Sequence, residues 1–184
     1  MTPTKPELKF TYDDYLLLPE EKRYELIDGD LYMVPAPRTF HQIVSMRIGA
    51  ALNDFVEKSL LGQVIAAPCD VYLSRYDVVQ PDILWISSDR LGIIKGPYVD
   101  GAPDLVVEIL SPSDPKRDRD LKRKLYARFG VREYWIVDPG AKSVDVLTRQ
   151  EGDLKTVQVF VADDNLSSPL LQEFELSLSS IFKP

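Results

Sequence analysis

Apolar and polar residues follow two different spacings along the chain. Between residues 39 and 60 apolar side chains recur every three or four positions, which predicts one long helix with an apolar face. The positions that form this face are Val44, Ile48, Ala51, Leu52 and Phe55. A shorter helix is predicted over residues 11–18, and it ends at Pro19 because proline interrupts helical hydrogen bonding.

Short runs of β-branched and aromatic residues predict strands. These runs lie at residues 63–74, 81–87, 104–110, 133–138, 143–149 and 155–161. Two more runs flank Asp28 and Gly29 within YELIDGDLYMV, residues 24–34, and an Asp-Gly pair favours the positive backbone angles of a tight hairpin turn. Residues 75–80 are predicted to be a turn.

A second long helix is predicted to begin at Asp114 and Pro115, since aspartate caps helices and proline suits the first helical position. It runs to Phe129, where Gly130 suits a left-handed helix end. The order of elements predicts an α/β (α+β) domain built on one mixed sheet that helices cover on both faces. A length of 184 residues fits a single domain over residues 1–184.

Composition narrows the functional classes. The net charge of -7 disfavours a protein coated with DNA-binding charge. Seven of the 22 Lys and Arg residues nevertheless lie between Lys116 and Arg128, which predicts a local basic surface. One cysteine, a polar start (MTPTKPELKF) and apolar runs too short to span a bilayer favour a cytoplasmic protein without a membrane segment.

Two carboxylates interrupt apolar strands. Because side chains alternate along a strand, Asp104 and Glu108 project from one face of the strand DLVVEIL. A buried carboxylate is costly unless it is paired, hydrogen-bonded or bound to a metal. Asp82 has a similar setting at the start of ILWI. The two acids Asp82 and Glu108 favour a site for Mg²⁺ or Mn²⁺, while structural ion pairs and strand-end caps stay open as the alternative.

Three residues of the second long helix share one face. Asp118, Lys122 and Tyr126 lie four positions apart. One interpretation is a solvated charged helix with an intrahelical Asp–Lys pair. The other places Lys122 over the metal site and leaves the remaining cations to face phosphates. Spacing alone favours the first interpretation.

Several segments together resemble the Uma2 family, also called DUF820. They are PDLVVEILSPS, the residues Asp118, Lys122 and Tyr126, GVREYWIVDP and, upstream in the same order, YELIDGDLYMV, His41 and QPDILWI. The resemblance covers most of the chain. It implies the restriction-endonuclease-like fold of the PD-(D/E)xK nuclease superfamily, with metal-dependent hydrolysis of phosphodiester bonds in DNA as the activity. The oligomeric state stays open, and a homodimer is a reasonable expectation because nucleases that cut both strands often pair.

The resemblance also implies roles for single residues. Asp82 and Glu108 would bind a divalent metal ion, Mg²⁺ or Mn²⁺. The superfamily places a lysine two residues after that glutamate, but this chain has Leu110 there, and leucine cannot stabilise charge. Lys122 is therefore expected to supply the missing cation, with Lys124 as the second choice.

Further residues are expected around the same site. Glu25 is a further acid in the hairpin, and His41 is an auxiliary group at the start of the long helix. Asp104, Asp118 and Tyr126 are additional auxiliary residues.

Two other functions stay open at this point. A nuclease fold that binds without turnover is favoured by the acidic net charge and by Leu110, and titration with Mg²⁺ or Mn²⁺ would separate it from an enzyme. A metal-dependent hydrolase of another substrate is the third interpretation, and a screen of DNA, RNA and small phosphoesters would identify it.

Overall fold

The computed structural model describes residues 8–19, 21–111 and 117–183, and for Arg117 and Asp118 it describes only the backbone. The predicted helix start at Asp114 and Pro115 lies outside the described residues, as does the side chain of Asp118.

The elements follow one another in mixed α and β order. The α-helices are α1 Tyr12–Tyr15, α2 Thr39–Lys58, α3 Arg123–Phe129 and α4 Leu178–Phe182. A 3₁₀ segment spans Ser88–Ile93 and a π-helical segment spans Arg117–Lys122. The strands are β1 Arg23–Ile27, β2 Asp30–Val34, β3 Gly62–Ala66, β4 Asp70–Ser74, β5 Asp77–Val79, β6 Ile83–Ser87, β7 Tyr98–Asp100, β8 Leu105–Ile109, β9 Glu133–Asp138, β10 Ser143–Gln150, β11 Asp153–Val161, β12 Asn165–Ser167 and β13 Glu175–Ser177.

The predicted hairpin and long helix are both confirmed. Strands β1 and β2 pair antiparallel, and the turn between them places Asp28 at φ 51° and Gly29 at φ 79°. Helix α2 buries Val44, Ile48 and Leu52, as the apolar spacing predicted. These two elements matter for function because β1 and the first turn of α2 both contribute side chains to the cavity described below.

The strands form two larger mixed sheets and a small one, which confirms the α+β class with flanking helices. The six-stranded sheet has the order β11-β10-β9-β8-β6-β3, and within it β8 and β9 are parallel. The five-stranded sheet has the order β2-β1-β5-β4-β7, with β4 and β7 parallel. Strands β12 and β13 form a separate antiparallel pair. The expectation of one sheet was wrong, because the hairpin pairs with β5 and not with the strands of the larger sheet.

The predicted turn over residues 75–80 was also wrong in part, since it contains β5. The backbone of β5 pairs with β1 on one side and β4 on the other. The carboxylate of Asp77 accepts hydrogen bonds from the Ser74 hydroxyl, from Arg128 and from the Asp28 N–H. These contacts with distant residues hold a three-residue strand that is too short to show a periodic pattern in the sequence.

Both faces of the six-stranded sheet are covered, as predicted. On one face Leu105, Val107 and Ile109 pack in a core with residues of α2 and α4. On the other face Val106 and Leu110 pack in a second core that includes residues of α3 and of the five-stranded sheet. The alternation along β8 therefore sends Glu108, between Val107 and Ile109, toward the second core and α3.

Helix α3 ends as the sequence predicted. Gly130 adopts a left-handed conformation at φ 91°, and its N–H bonds to the Tyr126 carbonyl. In the described parts of the chain, no helix is both long and apolar enough to cross a membrane.

Candidate active site

A cavity of about 460 Å³ opens where the two larger sheets meet the start of α2. Five polar residues that the sequence predicted for the site line this cavity. They are Glu25, His41, Asp82, Glu108 and Lys122. They come from β1, α2, the approach to β6, β8 and the π-helical segment, so the fold gathers them from widely separated parts of the chain.

Sheet register brings the two predicted metal ligands together. Strands β6 and β8 pair antiparallel with Ile83 opposite Val107, which places Asp82, one residue earlier, level with Glu108. The Ile109 N–H donates a 2.8 Å hydrogen bond to Oδ2 of Asp82. The Asp82 carboxylate is therefore fixed against the end of β8, next to Glu108.

Lys122 lies between two carboxylates inside the protein. Its Nζ is 2.8 Å from Oε1 of Glu25 and 2.9 Å from Oε1 of Glu108. All three residues are buried, with exposed fractions of 3% for Lys122, 1% for Glu25 and 4% for Glu108. One ammonium group thus contacts two carboxylates inside the protein.

Tyr126 and Gln80 orient the two glutamates. The Tyr126 hydroxyl donates a 2.6 Å hydrogen bond to Oε1 of Glu108, and the Gln80 N–H donates a 3.0 Å hydrogen bond to Oε1 of Glu25. Burial, followed by the charges of Glu108 and Glu25, raises the pKa of Tyr126 well above its ordinary value. Tyr126 therefore stays protonated and acts as a hydrogen-bond donor. Oε2 of Glu25 is buried and has no hydrogen-bond partner among the described residues.

His41 spans the ends of β6 and β8. Its Nε2 lies 3.0 Å from the Ile109 carbonyl oxygen and 3.2 Å from Oδ2 of Asp82. A carbonyl only accepts hydrogen bonds, so Nε2 carries the proton. The imidazole ring therefore orients the two oxygen atoms that flank Glu108 in the cavity wall.

Three other predicted residues, all with described side chains, do not line the cavity wall. Asp104 lies at the opposite end of β8, where it is paired with Arg90 at 2.8 Å and Arg132 at 3.3 Å. Lys124 is exposed and does not line the cavity. Tyr126 lies behind Glu108 and reaches the cavity only through that carboxylate.

The pKa of Asp104 reflects a structural ion pair. Burial alone would raise it, but hydrogen bonds from the Ser87 N–H and from Arg90 outweigh burial and lower the pKa. The alternative considered for any single acid, a structural ion pair, thus describes Asp104.

The oxygen atoms around the cavity fit a hard divalent cation. Asp82 and Glu108 offer carboxylates, and the Ile109 carbonyl lies beside them. Among the residues that the structure describes, no three His, Cys, Asp or Glu side chains form a complete cage. Mg²⁺ does not need such a cage, because it binds through one or two carboxylates and keeps several waters.

Sequence reasoning missed two cations at this cavity. Arg23 and Arg38 both line it, and neither forms an ion pair with another described residue. Arg23 could have been found, because it shares one face of β1 with Glu25 under strand alternation. Arg38 directly precedes α2, and no periodic signal marks that position.

Comparisons with known proteins agree with this architecture. The model of the Uma2 family, described as "Putative restriction endonuclease", matches residues 12–179. The uncharacterized protein slr1290 of Synechocystis sp. is 24% identical over 170 residues, which cover 90% of this chain and 87% of that protein.

A solved structure shows the same fold. It is the crystal structure from Anabaena variabilis described as "a putative nuclease belonging to DUF820". This structure superposes with a TM-score of 0.79 at 24% identity, over 94% of this chain and 97% of the other. The family model spans nearly the whole described chain, so the protein belongs to the Uma2 family.

Proposed function

We propose that this protein is a metal-dependent endonuclease that hydrolyses phosphodiester bonds in DNA. The observation that carries the proposal is the position of Lys122. Its ammonium group reaches Glu108 from the following helix, in a chain that has Leu110 where the superfamily places its lysine. The family description, the gathered carboxylates and this compensating cation point to the same chemistry.

Asp82 and Glu108 would hold the ion, and the Ile109 carbonyl is a further oxygen within the same wall. When bound, Mg²⁺ or Mn²⁺ would supply Lewis acidity at the phosphodiester and lower the pKa of a coordinated water. The protein's own contribution is orientation and charge. Lys122 is placed to offset negative charge that develops on the phosphoryl oxygens, and fixed donors are most effective in a water-poor site.

The surrounding residues position the carboxylates of the site and the Ile109 carbonyl. Tyr126 fixes one oxygen of Glu108, and Gln80 fixes one oxygen of Glu25. His41 orients the Ile109 carbonyl and the Asp82 carboxylate. Because these donors are already in place, the site needs little rearrangement when the substrate arrives.

One observation favours a second candidate, a nuclease fold that binds without turnover. Lys122 already lies within 2.9 Å of both glutamates, so each of these carboxylates has a partner without any metal ion. Calorimetric titration with Mn²⁺ separates the two functions, since a module without turnover need not bind the ion.

The main test is cleavage of DNA by Glu108→Gln. Supercoiled plasmid and labelled oligonucleotides are incubated with the wild-type chain in Mg²⁺, in Mn²⁺ or in chelator. We expect metal-dependent cleavage, and a loss of about 1,000-fold in Glu108→Gln, which is the order expected when a preorganised charged group is removed. Glu151→Gln is the matched control, because Glu151 is an exposed residue in a turn.

Two lysine variants test whether Lys122 is the cation of the site. Lys122→Met should lower cleavage about 100-fold or more, whereas Lys124→Met should leave it unchanged, because Lys124 is exposed and outside the cavity.

Full activity in Glu108→Gln would contradict the proposal. If no DNA is cut while Mn²⁺ binds, a screen of RNA and small phosphoesters tests the third interpretation, a hydrolase with another substrate.

A further inference from the structure

We infer that the cavity takes a single unpaired DNA strand and not an intact double helix. This inference rests on the proposed function and names the substrate class of the same site. It is carried by three features of the cavity: the depth of its charged groups, its apolar wall and its two free arginines.

Two of the groups that would act on the phosphodiester are buried, and the third is half-buried. The side chains of Glu108 and Lys122 are 5% and 4% exposed, and that of Asp82 is 19% exposed. The cavity volume of about 460 Å³ is that of a pocket for one small molecule, for which about 300–1,000 Å³ is usual. A duplex holds each phosphate on a stiff outer surface, whereas an unpaired strand can bend a single nucleotide inward. Enzymes with buried groups meet the same constraint by taking a nucleotide out of the stack.

One wall of the cavity suits a base. The apolar residues that line it include Phe40, Pro35, Pro37 and Leu110. A base stacks on an aromatic ring in a way that tolerates any sequence, since every base has a π face. In a duplex those base faces are already stacked on their neighbours. The apolar wall is therefore useful only to a nucleotide that has left the double helix.

Arg23 and Arg38 supply positive charge beside the acids. Five other arginines with described side chains lie within 3.5 Å of a carboxylate. They are Arg90, Arg119, Arg123, Arg128 and Arg132. Arg23 and Arg38 have no such partner among the described residues and both line the cavity. A guanidinium group binds a phosphate through two parallel hydrogen bonds.

These two arginines explain how a chain with net charge -7 would attract DNA. Both guanidinium groups lie at the cavity itself, beside the carboxylates that would act on the phosphodiester. A contact that covers few phosphates suits one strand entering a pocket, and it should depend only weakly on salt, because each neutralised phosphate adds to the salt dependence of binding.

The test compares binding of the two forms of DNA to the whole chain. A fluorescent strand of about 12 nucleotides, within the usual site size for single strands, is titrated alone and as the same sequence in a hairpin duplex. Chelator stops hydrolysis, and fluorescence anisotropy reports binding. We expect the single strand to bind about tenfold more tightly, with a weak salt dependence that reflects few phosphate contacts.

Three variants connect this preference to the cavity. Arg23→Gln and Arg38→Gln should each weaken single-strand binding and lower the slope of log K against log salt by about 0.7, the value for one phosphate contact on a single strand. Phe40→Ala should weaken binding without changing that slope. Arg149→Gln is the control, since Arg149 is an exposed arginine that lies outside this cavity.

Equal or tighter binding of the duplex would overturn the inference, and so would unchanged salt slopes in both arginine variants. A cleavage assay in Mn²⁺ separates this failure from failure of the proposed function. Cutting of duplex alone would leave the nuclease proposal intact and reject the single-strand preference. Binding of the single strand that depends on both arginines, without any cleavage, would reject the nuclease proposal and retain the substrate class.

Discussion

The two ends of β8 hold two buried acids in opposite electrostatic settings. Asp104 precedes the strand and Glu108 lies near its other end, and both project from the same face. Asp104 accepts hydrogen bonds from Arg90, Arg132 and the Ser87 N–H. Glu108 shares the single ammonium group of Lys122 with Glu25.

This difference separates a structural acid from an acid suited to chemistry. At Asp104 two arginines face one carboxylate, and the aspartate is fully buried. At Glu108 two carboxylates face one lysine, and both glutamates line the cavity. Carboxylates that line a cavity can reach an added cation, whereas the carboxylate of Asp104 is buried and already accepts hydrogen bonds from two arginines.

The largest expected effect on stability is at the Asp104 end. Asp104→Ala leaves the buried Ser87 N–H without its acceptor and removes the shared partner of two arginines, which should lower the free energy of unfolding by about 3 kcal/mol. Glu108→Gln should change it by less than about 1 kcal/mol, because an amide of similar size removes one of two carboxylates that compete for Lys122. Urea unfolding of both variants measures the difference.

Equal losses in the two variants would break the comparison, since both acids would then be structural. A greater loss in Glu108→Gln than in Asp104→Ala would reverse it.

A smaller effect is expected from the hydrogen bond behind the cavity. Tyr126→Phe removes the 2.6 Å bond to Oε1 of Glu108 but leaves Lys122 in contact with the same atom. The free energy of unfolding should fall by about 1 kcal/mol, the usual net contribution of one hydrogen bond. Tyr76→Phe, at an exposed position, is the control and should unfold like the wild type.

A loss of 3 kcal/mol or more in Tyr126→Phe would show that Glu108 is anchored as firmly as Asp104. The contrast between the two ends of β8 would then concern exposure to the cavity and not the strength of anchoring.

Much of the fold could be predicted because strand alternation and helical spacing are local. The alternation in DLVVEIL correctly assigned Glu108 to one face and Val107 to the other. The division into separate sheets could not be predicted, since it depends on β1 pairing with β5 across about fifty residues of chain. No local pattern encodes which edge a hairpin joins.

The candidate site, like the fold, has a part that a local sequence pattern reveals and a part that it does not. An acid in an apolar strand is visible in the sequence, so Asp82 and Glu108 could be singled out. Spacing could not choose between Lys122 and Lys124, because both follow the same strand and the choice depends on how the helix is rotated. The structure places Lys122 inside against Glu108 and Lys124 at the surface.

The smallest expected effect is on the pH dependence of stability, and it has opposite signs at two buried acids. Hydrogen bonds from Ser87 and Arg90 outweigh burial and hold the pKa of Asp104 below its ordinary 3.8, so the unfolded chain binds this proton more readily than the folded chain. Its contribution to stability is therefore present above pH 3.8 and is lost as the pH falls through the folded pKa. Asp104→Asn should flatten that acid limb in urea unfolding measured against pH.

Glu133 provides the opposite case. Burial raises its pKa above the ordinary 4.5, although hydrogen bonds from Ser168, Trp135 and the Leu170 N–H act against burial. The folded chain binds this proton more readily, so stability falls as the pH rises from 4.5 through the folded pKa, and Glu133→Gln should remove that fall. If Asp104→Asn and Glu133→Gln shift the profile in the same direction, the partners around a buried acid do not set the sign of its contribution. The contrast drawn between Asp104 and Glu108 would then lose its electrostatic basis.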